Sequence, residues 1–262
     1  MHLARPHLFW CLPLLLSIGI FSCILNAEVE EPEVDELVKK HVVWVEPLDG
    51  IKLKPDGVRL LTPYRERRGD WGLTFGFAYS SYEPVNYQTA FGAFAYNTVY
   101  ASPSTPMLEA QFSFKYNLSF GSVGIDVAAG DMDNMHTDVD FVGSHLNVAM
   151  GRVGAVYYMD TLNDNPYYVP YASLGTYIVY YSEKLSGNSV SGNTSPGLYI
   201  NAGCAFPVDW MDPISARAAY EEGGLQRTYI FAEVRKYFQS FNSSDPDFSN
   251  NINWGAGLRM EF

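Results

Sequence analysis

From residue 71 the chain alternates. Trp71, Leu73, Phe75, Phe77 and Tyr79 fall on one face of an extended segment, with Gly72, Thr74, Gly76, Ala78 and Ser80 on the other. Strand side chains point to opposite faces in turn, so a period of two predicts a β-strand. The pattern recurs. Leu108, Ala110, Phe112, Phe114, Tyr116 and Leu118 oppose Glu109, Gln111, Ser113, Lys115 and Asn117; Val123, Ile125, Val127 and Ala129 then oppose Asp126. A fourth strand begins at Leu146, Val148 and Met150, a fifth covers 168–181, and a sixth, 197–206, puts Leu198, Ile200, Ala202, Cys204 and Phe206 on one side. A seventh is read from Ile214, with Ala216, Ala218 and Tyr220 opposite Ser215, Arg217, Ala219 and Glu221. The last is 254–262, where Leu258, Met260 and Phe262 oppose Gly257, Arg259 and Glu261. Segments 90–100 and 228–238 also have strand character. Excluding both gives eight strands; including both gives ten.

One position breaks the pattern. Arg152 falls on the face of Leu146, Val148 and Met150. If that face meets lipid, a charge at mid-bilayer depth costs about 2–4 kcal/mol. Arg152 then either snorkels to an interface, or a bulge shifts the register so that Val153, Ala155 and Tyr157 face outward.

Connection lengths alternate. Segments 81–106, 130–143, 182–196 and 221–251 are long, while 117–122, 160–167 and 207–213 are short. An up-and-down membrane barrel has long loops at one end and short turns at the other. A β-sandwich offers no reason for that rhythm.

The N-terminus adds an address. After a short start with Arg5, residues 8–25 are nearly all apolar, and Asn26-Ala27 precedes an acidic run from Glu28. This is the layout of a secretory signal peptide (1–27) cleaved after Ala27. Its rivals are an uncleaved anchor, against which Pro13 argues, and lipoprotein processing at Cys23. Residues 28–70 read as a short acidic periplasmic segment, and 71–262 as the barrel. Val34, Leu37, Val38, His41 and Val42 have roughly helical spacing. Arg65, Arg67 and Arg68 form a basic cluster, which either meets lipid phosphates or lies in a solvated turn.

Composition narrows the field. The net charge is −12, so no basic footprint for nucleic acid exists. Charged residues make up only 18% and aromatics 15%. Of the three cysteines, Cys11 and Cys23 lie in the signal, which leaves Cys204 and no internal disulfide. Cys204 reads as a small apolar residue on the lipid face.

Together, the alternating strands, loop rhythm, signal and Leu258-x-Met260-x-Phe262 ending resemble the small outer-membrane barrels of the OmpA-transmembrane, OmpW and OmpX type. The resemblance covers about 71–262 and is one of pattern. The acidic segment before it departs from the minimal members. The fold expected is all-β: an antiparallel up-and-down transmembrane β-barrel of eight strands, with ten as the alternative. By resemblance, the closing strand with Trp254, Leu258, Met260 and Phe262 is also a tag for the outer-membrane barrel assembly machinery. The expected partners are outer-membrane lipids, that machinery and an unidentified surface ligand.

Candidate chemistry is sparse. Glu109, Lys115, Asp126, Arg217, Glu221, Glu233, Arg235, Arg259 and Glu261 fall on the polar faces. An eight-stranded lumen has room only for side chains, so these charges are expected to pair as an internal network. The alternative is a narrow pore lined by them, though neither sign dominates. Asp131, Asp133, His136, Asp138 and Asp140 crowd one loop but lack the glycine and bidentate glutamate of a calcium loop. For a lipid hydrolase, Ser144-His145-Leu146-Asn147 lacks the second serine of a His-x-Ser motif. No catalytic residue, metal or cofactor is assigned. The function expected is structural, or surface interaction through long loops, with a narrow channel and a lipid-modifying hydrolase as alternatives.

Overall fold

The computed structural model describes residues 51–53, 59–100, 104–135, 143–185 and 187–262. The expected signal, the acidic segment through residue 50, and His136, Asp138 and Asp140 lie outside the described residues. A hairpin of β1 (Ile51–Leu53) and β2 (Arg59–Leu61) and a helical turn, α1 (Tyr64–Arg67), come first. The wall begins with β3 (Trp71–Tyr82). After α2 (Tyr96–Val99) come β4 (Thr105–Leu118), β5 (Gly121–Met135), β6 (His145–Tyr158), β7 (Val169–Leu185), β8 (Asn188–Asn193) and β9 (Gly197–Pro207). Helix α3 (Pro213–Gly223), β10 (Arg227–Ser240) and β11 (Asn253–Glu261) follow.

Sequential antiparallel pairing runs from β3 round to β10 and β11, and β11 pairs with β3, giving a closed barrel of eight wall strands. The closing register matches Gly255 with Ser80 and Glu261 with Thr74. Strands β8 and β9 are one return path. Strand β8 pairs with the far half of β7 and β9 with its near half. Pro196, which has no N–H for the ladder, lies in the break, while Thr194 keeps contact through its N–H to the Val179 carbonyl at 2.9 Å.

Eight strands form, but the seventh is not the one read from the sequence. Residues 214–220 are helical. Asp212 caps α3 by accepting the Ser215 N–H at 3.1 Å, Pro213 occupies the first turn, and Gly224 ends the helix at φ 69°. Cap, first-turn proline and left-handed glycine are the three signals of a helix. Alanine also favours helix over strand, so its apparent alternation at 216 and 218 misled. The seventh wall strand is β10, within 228–238. The third connection at the turn end, read as the short segment 207–213, is therefore 208–226 and nineteen residues long, while 182–196, read as a long loop, is mostly paired strand, so the expected rhythm of connection lengths does not hold. Segment 90–100 contributes α2 and one isolated bridge, Gln88 to Ala95, but no wall strand.

Arg152 also resolves differently. The β5–β6 and β6–β7 registers run without a bulge, and Arg152 points inward with 4% exposure. Leu146, Val148 and Met150 share its inward face and are buried, while Val153 is exposed outside. Alternation defines two faces without saying which is the interior. Near the loop end the interior is itself apolar.

The outer surface is apolar all the way round. Phe77, Leu108, Ile125, Leu174, Ile230 and Leu258 stand at 49–67% exposure on six different strands. An encircling belt of that size is what lipid covers. Aromatic residues mark its edges. Trp71 and Tyr116 meet at 4.6 Å at the turn end, and Tyr79 and Trp254 at 6.1 Å toward the loop end. From Trp71 to Tyr79 the strand covers about 26 Å, or about 20 Å of height at a ~40° tilt, near the ~25 Å apolar band of such barrels.

Candidate functional site

The interior is filled in layers. In the middle, Arg152 donates to Asp126 at 2.8 Å and to Glu109 at 3.4 Å. Arg235 binds Glu109 and Glu233 closely. Glu233 also accepts from Tyr171 and Asn201, each at 2.8 Å, and from Gln111 at 3.1 Å. Arg259 donates to Gln111 at 3.0 Å and lies over the rings of Phe231 and Tyr171, at 4.5 and 4.7 Å. Buried charges persist only when paired and hydrogen-bonded, and alternation on β4, β5, β6, β10 and β11 aims these groups at one axis.

Toward the turn end a second layer forms around Lys115. Its ammonium lies 2.8 Å from Glu261, 3.1 Å from Asp160 and 2.9 Å from the Tyr64 hydroxyl. Tyr64 comes from α1, before the wall begins. It is fully buried and donates to Glu261 at 2.6 Å. Arg68 donates to Asp160 at 2.9 Å, and Arg67 donates to the Gln226 carbonyl at 2.7 Å. Arg67 and Arg68 hold the pre-strand segment against the rim, with Tyr64 as a stopper. The space left beside Lys115, Tyr158, Asp160 and Arg259 is about 10 Å³, no more than one water.

At the loop end the mouth is closed by side chains from the connections. Tyr87, Tyr96, Val99 and Tyr100 from the β3–β4 loop pack with Phe248 from the β10–β11 loop against wall residues Tyr82, Tyr177 and Tyr237. Glu183 anchors this plug. It is fully buried and accepts from Tyr87 at 2.9 Å, Tyr100 at 3.0 Å and the Ala90 N–H at 2.8 Å. Burial, with the Glu183 carboxylate adding to it, holds the Tyr87 and Tyr100 hydroxyls well above the ordinary tyrosine range.

The structure thus brings Glu109, Lys115, Asp126, Glu233, Arg235, Arg259 and Glu261 into the lumen. Arg217 and Glu221 are a correction. They sit on α3 outside the wall, joined as an exposed i,i+4 pair at 2.8 Å, because their segment is helical. Arg152, Asp160, Tyr64 and Glu183 were missed. Only Arg152 left a signal, as a charge out of place on an apolar face. Trp254, Leu258 and Phe262 on the closing strand face outward, and Phe262 exchanges backbone hydrogen bonds with Leu73 at 2.8 and 3.0 Å. Cys204 is half-buried and free. Asp133 pairs with His145, and Asp131 accepts from Asn147 at 3.2 Å, on the outer side of the β5–β6 hairpin. The buried Ser144 hydroxyl has no hydrogen-bond partner, so it is not coupled to His145. Among the described residues no cluster of three metal-ligating side chains occurs.

No family model and no curated protein matches the chain. Among solved structures it is similar to Ail, the attachment invasion locus protein of Yersinia pestis, at 15% identity, over 74% of this chain and 99% of that one, with a TM-score of 0.42. It is similar to Neisserial surface protein A at 15% identity, over 74% and 98%, with a TM-score of 0.42. It is also similar to the outer membrane protein OprG from Pseudomonas aeruginosa at 12% identity, over 74% and 96%, with a TM-score of 0.45. The chain's own strand pairing and encircling apolar belt, rather than these likenesses, define it as an eight-stranded closed antiparallel barrel.

Proposed function

We propose that the protein is an integral outer-membrane barrel with a closed lumen, acting in envelope structure and surface interaction through its loop end. The observation that carries this reading is the doubly stoppered interior. Tyr64 closes one end, the Tyr87–Tyr100–Phe248 cluster closes the other, and paired charges fill the middle. A channel would require both stoppers to leave and the paired charges between them to part. A hydrolase would require a nucleophile coupled to His145. In this reading the signal is cleaved, the short turns and α3 face the periplasm, and β11 engages the assembly machinery.

Surface interaction is supported by what the loop end presents. Strands β5 to β8 continue past the aromatic edge and carry Asp131, Asp133, Asn147 and Lys184, polar groups on a rigid frame. The test combines fractionation with conductance. The protein should sediment with the outer membrane, migrate differently on detergent gels when unheated, and add no steps to planar-bilayer current. Recovery as a water-soluble mature chain would overturn the membrane reading. Steady conductance of the unaltered protein would overturn the closed lumen.

A further inference from the structure

Outside the lumen, the turn end holds a cleft of about 190 Å³ that the closed-barrel reading does not use. Residue Thr62, just after β2, contributes to it. So do Arg67 of α1, Arg227 at the start of β10, and Asp209 and Trp210 before α3. Its polar groups are incompletely satisfied. Arg67 gives one nitrogen to the Gln226 carbonyl at 2.7 Å, while its Nε and Nη1 are buried without a hydrogen-bond partner. Thr62 is 8% exposed, and its hydroxyl likewise has no partner. Arg227, 2% exposed, donates to the Pro166 carbonyl at 3.1 Å and to Asn165, but its Nε makes no hydrogen bond and stands 3.7 Å from Asp209.

The charge balance points the same way. Two guanidiniums share one carboxylate, and Asp209 is already engaged by the Thr228 N–H at 3.0 Å. Burial, followed by repulsion from Arg227, lowers the proton affinity of Arg67. Arg67 lies over the Tyr220 ring at 5.3 Å and Arg227 over the Tyr64 ring at 4.3 Å, contacts that hold the cations without supplying hydrogen-bond acceptors, so in a chain of net charge −12 a recess with two guanidiniums and one carboxylate is a local exception. Buried donors without acceptors cost stability, so an acceptor-rich anion would relieve them.

We propose that this cleft binds a phosphate-type oxyanion, with Arg67, Thr62 and Arg227 as its donors. Arginine suits such groups because its several N–H donors meet several oxygens. A phosphate offers more acceptor oxygens than a carboxylate, matching donors spread over three side chains. The apolar walls, Leu61, Tyr167, Pro207 and Trp210, would cover the carbon part of a phosphate ester. The cleft adjoins the end of β11, where the Gln226 N–H meets the Glu261 carbonyl at 2.7 Å. That is headgroup depth if the belt sits in lipid, so the phosphate could belong to a lipid or be free.

Phosphorus NMR linewidths on the full-length protein, folded in an uncharged detergent, would test this. One titration uses inorganic phosphate; the other uses dioctanoyl phosphatidic acid in the same micelles. Saturable broadening is expected with at least one probe, weakened at least about tenfold by Arg67→Gln and unchanged by Arg65→Gln, whose residue pairs with Asp164 outside the cleft. Saturation by phosphate alone assigns a free oxyanion; saturation by the lipid only assigns a headgroup. Thr62→Val should weaken the same probe and serves if Arg67→Gln does not fold, as judged by the heat-dependent gel shift. Absence of saturable binding to both probes, or unchanged binding in a folded Arg67→Gln or Thr62→Val variant, would overturn the proposal.

Discussion

Glu183 shows how much one side chain carries here. Its carboxylate is buried and is held by two tyrosine hydroxyls and one backbone N–H. In Glu183→Gln the acceptor charge disappears and at least one donor faces an amide hydrogen. Each unsatisfied buried donor costs about 1–3 kcal/mol, so the mouth should open locally. Amide exchange at Ala90 should speed up by about tenfold or more; an unchanged rate would show that Glu183 is not the anchor. The same residue sets a pH window. Tyr87 and Tyr100 hold their protons more tightly folded than unfolded. Their contribution is therefore fully present below the ordinary tyrosine value of 10 and is lost as pH rises beyond it. Tyrosinate absorbance should begin to rise at lower pH in Glu183→Gln than in the unaltered protein, since the carboxylate is one cause of the upward shift.

At the level of elements, the contrast between α3 and β10 is the most instructive. Both carry an arginine named as a lumen candidate. Arg217 ends up on an exposed helix, paired with Glu221, where such a pair contributes roughly 0.3–0.5 kcal/mol. Arg235 lies in the lumen between Glu109 and Glu233, where removing one partner costs on the order of 3–5 kcal/mol. Urea unfolding in micelles should barely move for Arg217→Ala and should shift strongly for Arg235→Ala; equal shifts would contradict the assignment. The closing strand makes a separate prediction. Deleting Phe262 removes both of its backbone hydrogen bonds to Leu73 and an outward aromatic. The membrane fraction should then hold much less of the heat-shiftable folded form. Normal yields would count against a special role for that end in assembly.

For the whole molecule, the question is passage through the lumen. Tyr64 closes the turn end through Glu261 and Lys115, and the loop plug closes the other end. Opening only one should not create a path. Tyr64→Ala is therefore expected to stay silent in planar bilayers, and so is Tyr64→Ala combined with Glu183→Gln, because the Glu109, Arg152 and Arg235 layer still fills the middle. Conductance in the single variant would mean that the loop plug is not tight.

Much of this architecture was legible because a barrel in lipid needs large apolar side chains outside, and these recur every second residue. Periodicity alone identified the strand faces at 71–80, 108–118 and 254–262 and placed the lumen charges at Glu109, Lys115, Asp126 and Arg259. It failed where the period was ambiguous or where both faces were apolar. Alternating alanines fit a strand until Asp212 and Gly224 cap them as a helix, and Leu146, Val148 and Met150 look lipid-facing until the apolar mouth claims them. The stoppers were out of reach for another reason. Tyr64 meets Glu261 across 197 positions of chain, and Glu183 meets Tyr87 across 96. No local pattern encodes contacts made between distant segments. Local periodicity is enough for an up-and-down wall with an apolar outer face and charges on its inner one. The plugs at both ends come from the closed ring, which brings those distant segments within hydrogen-bond reach.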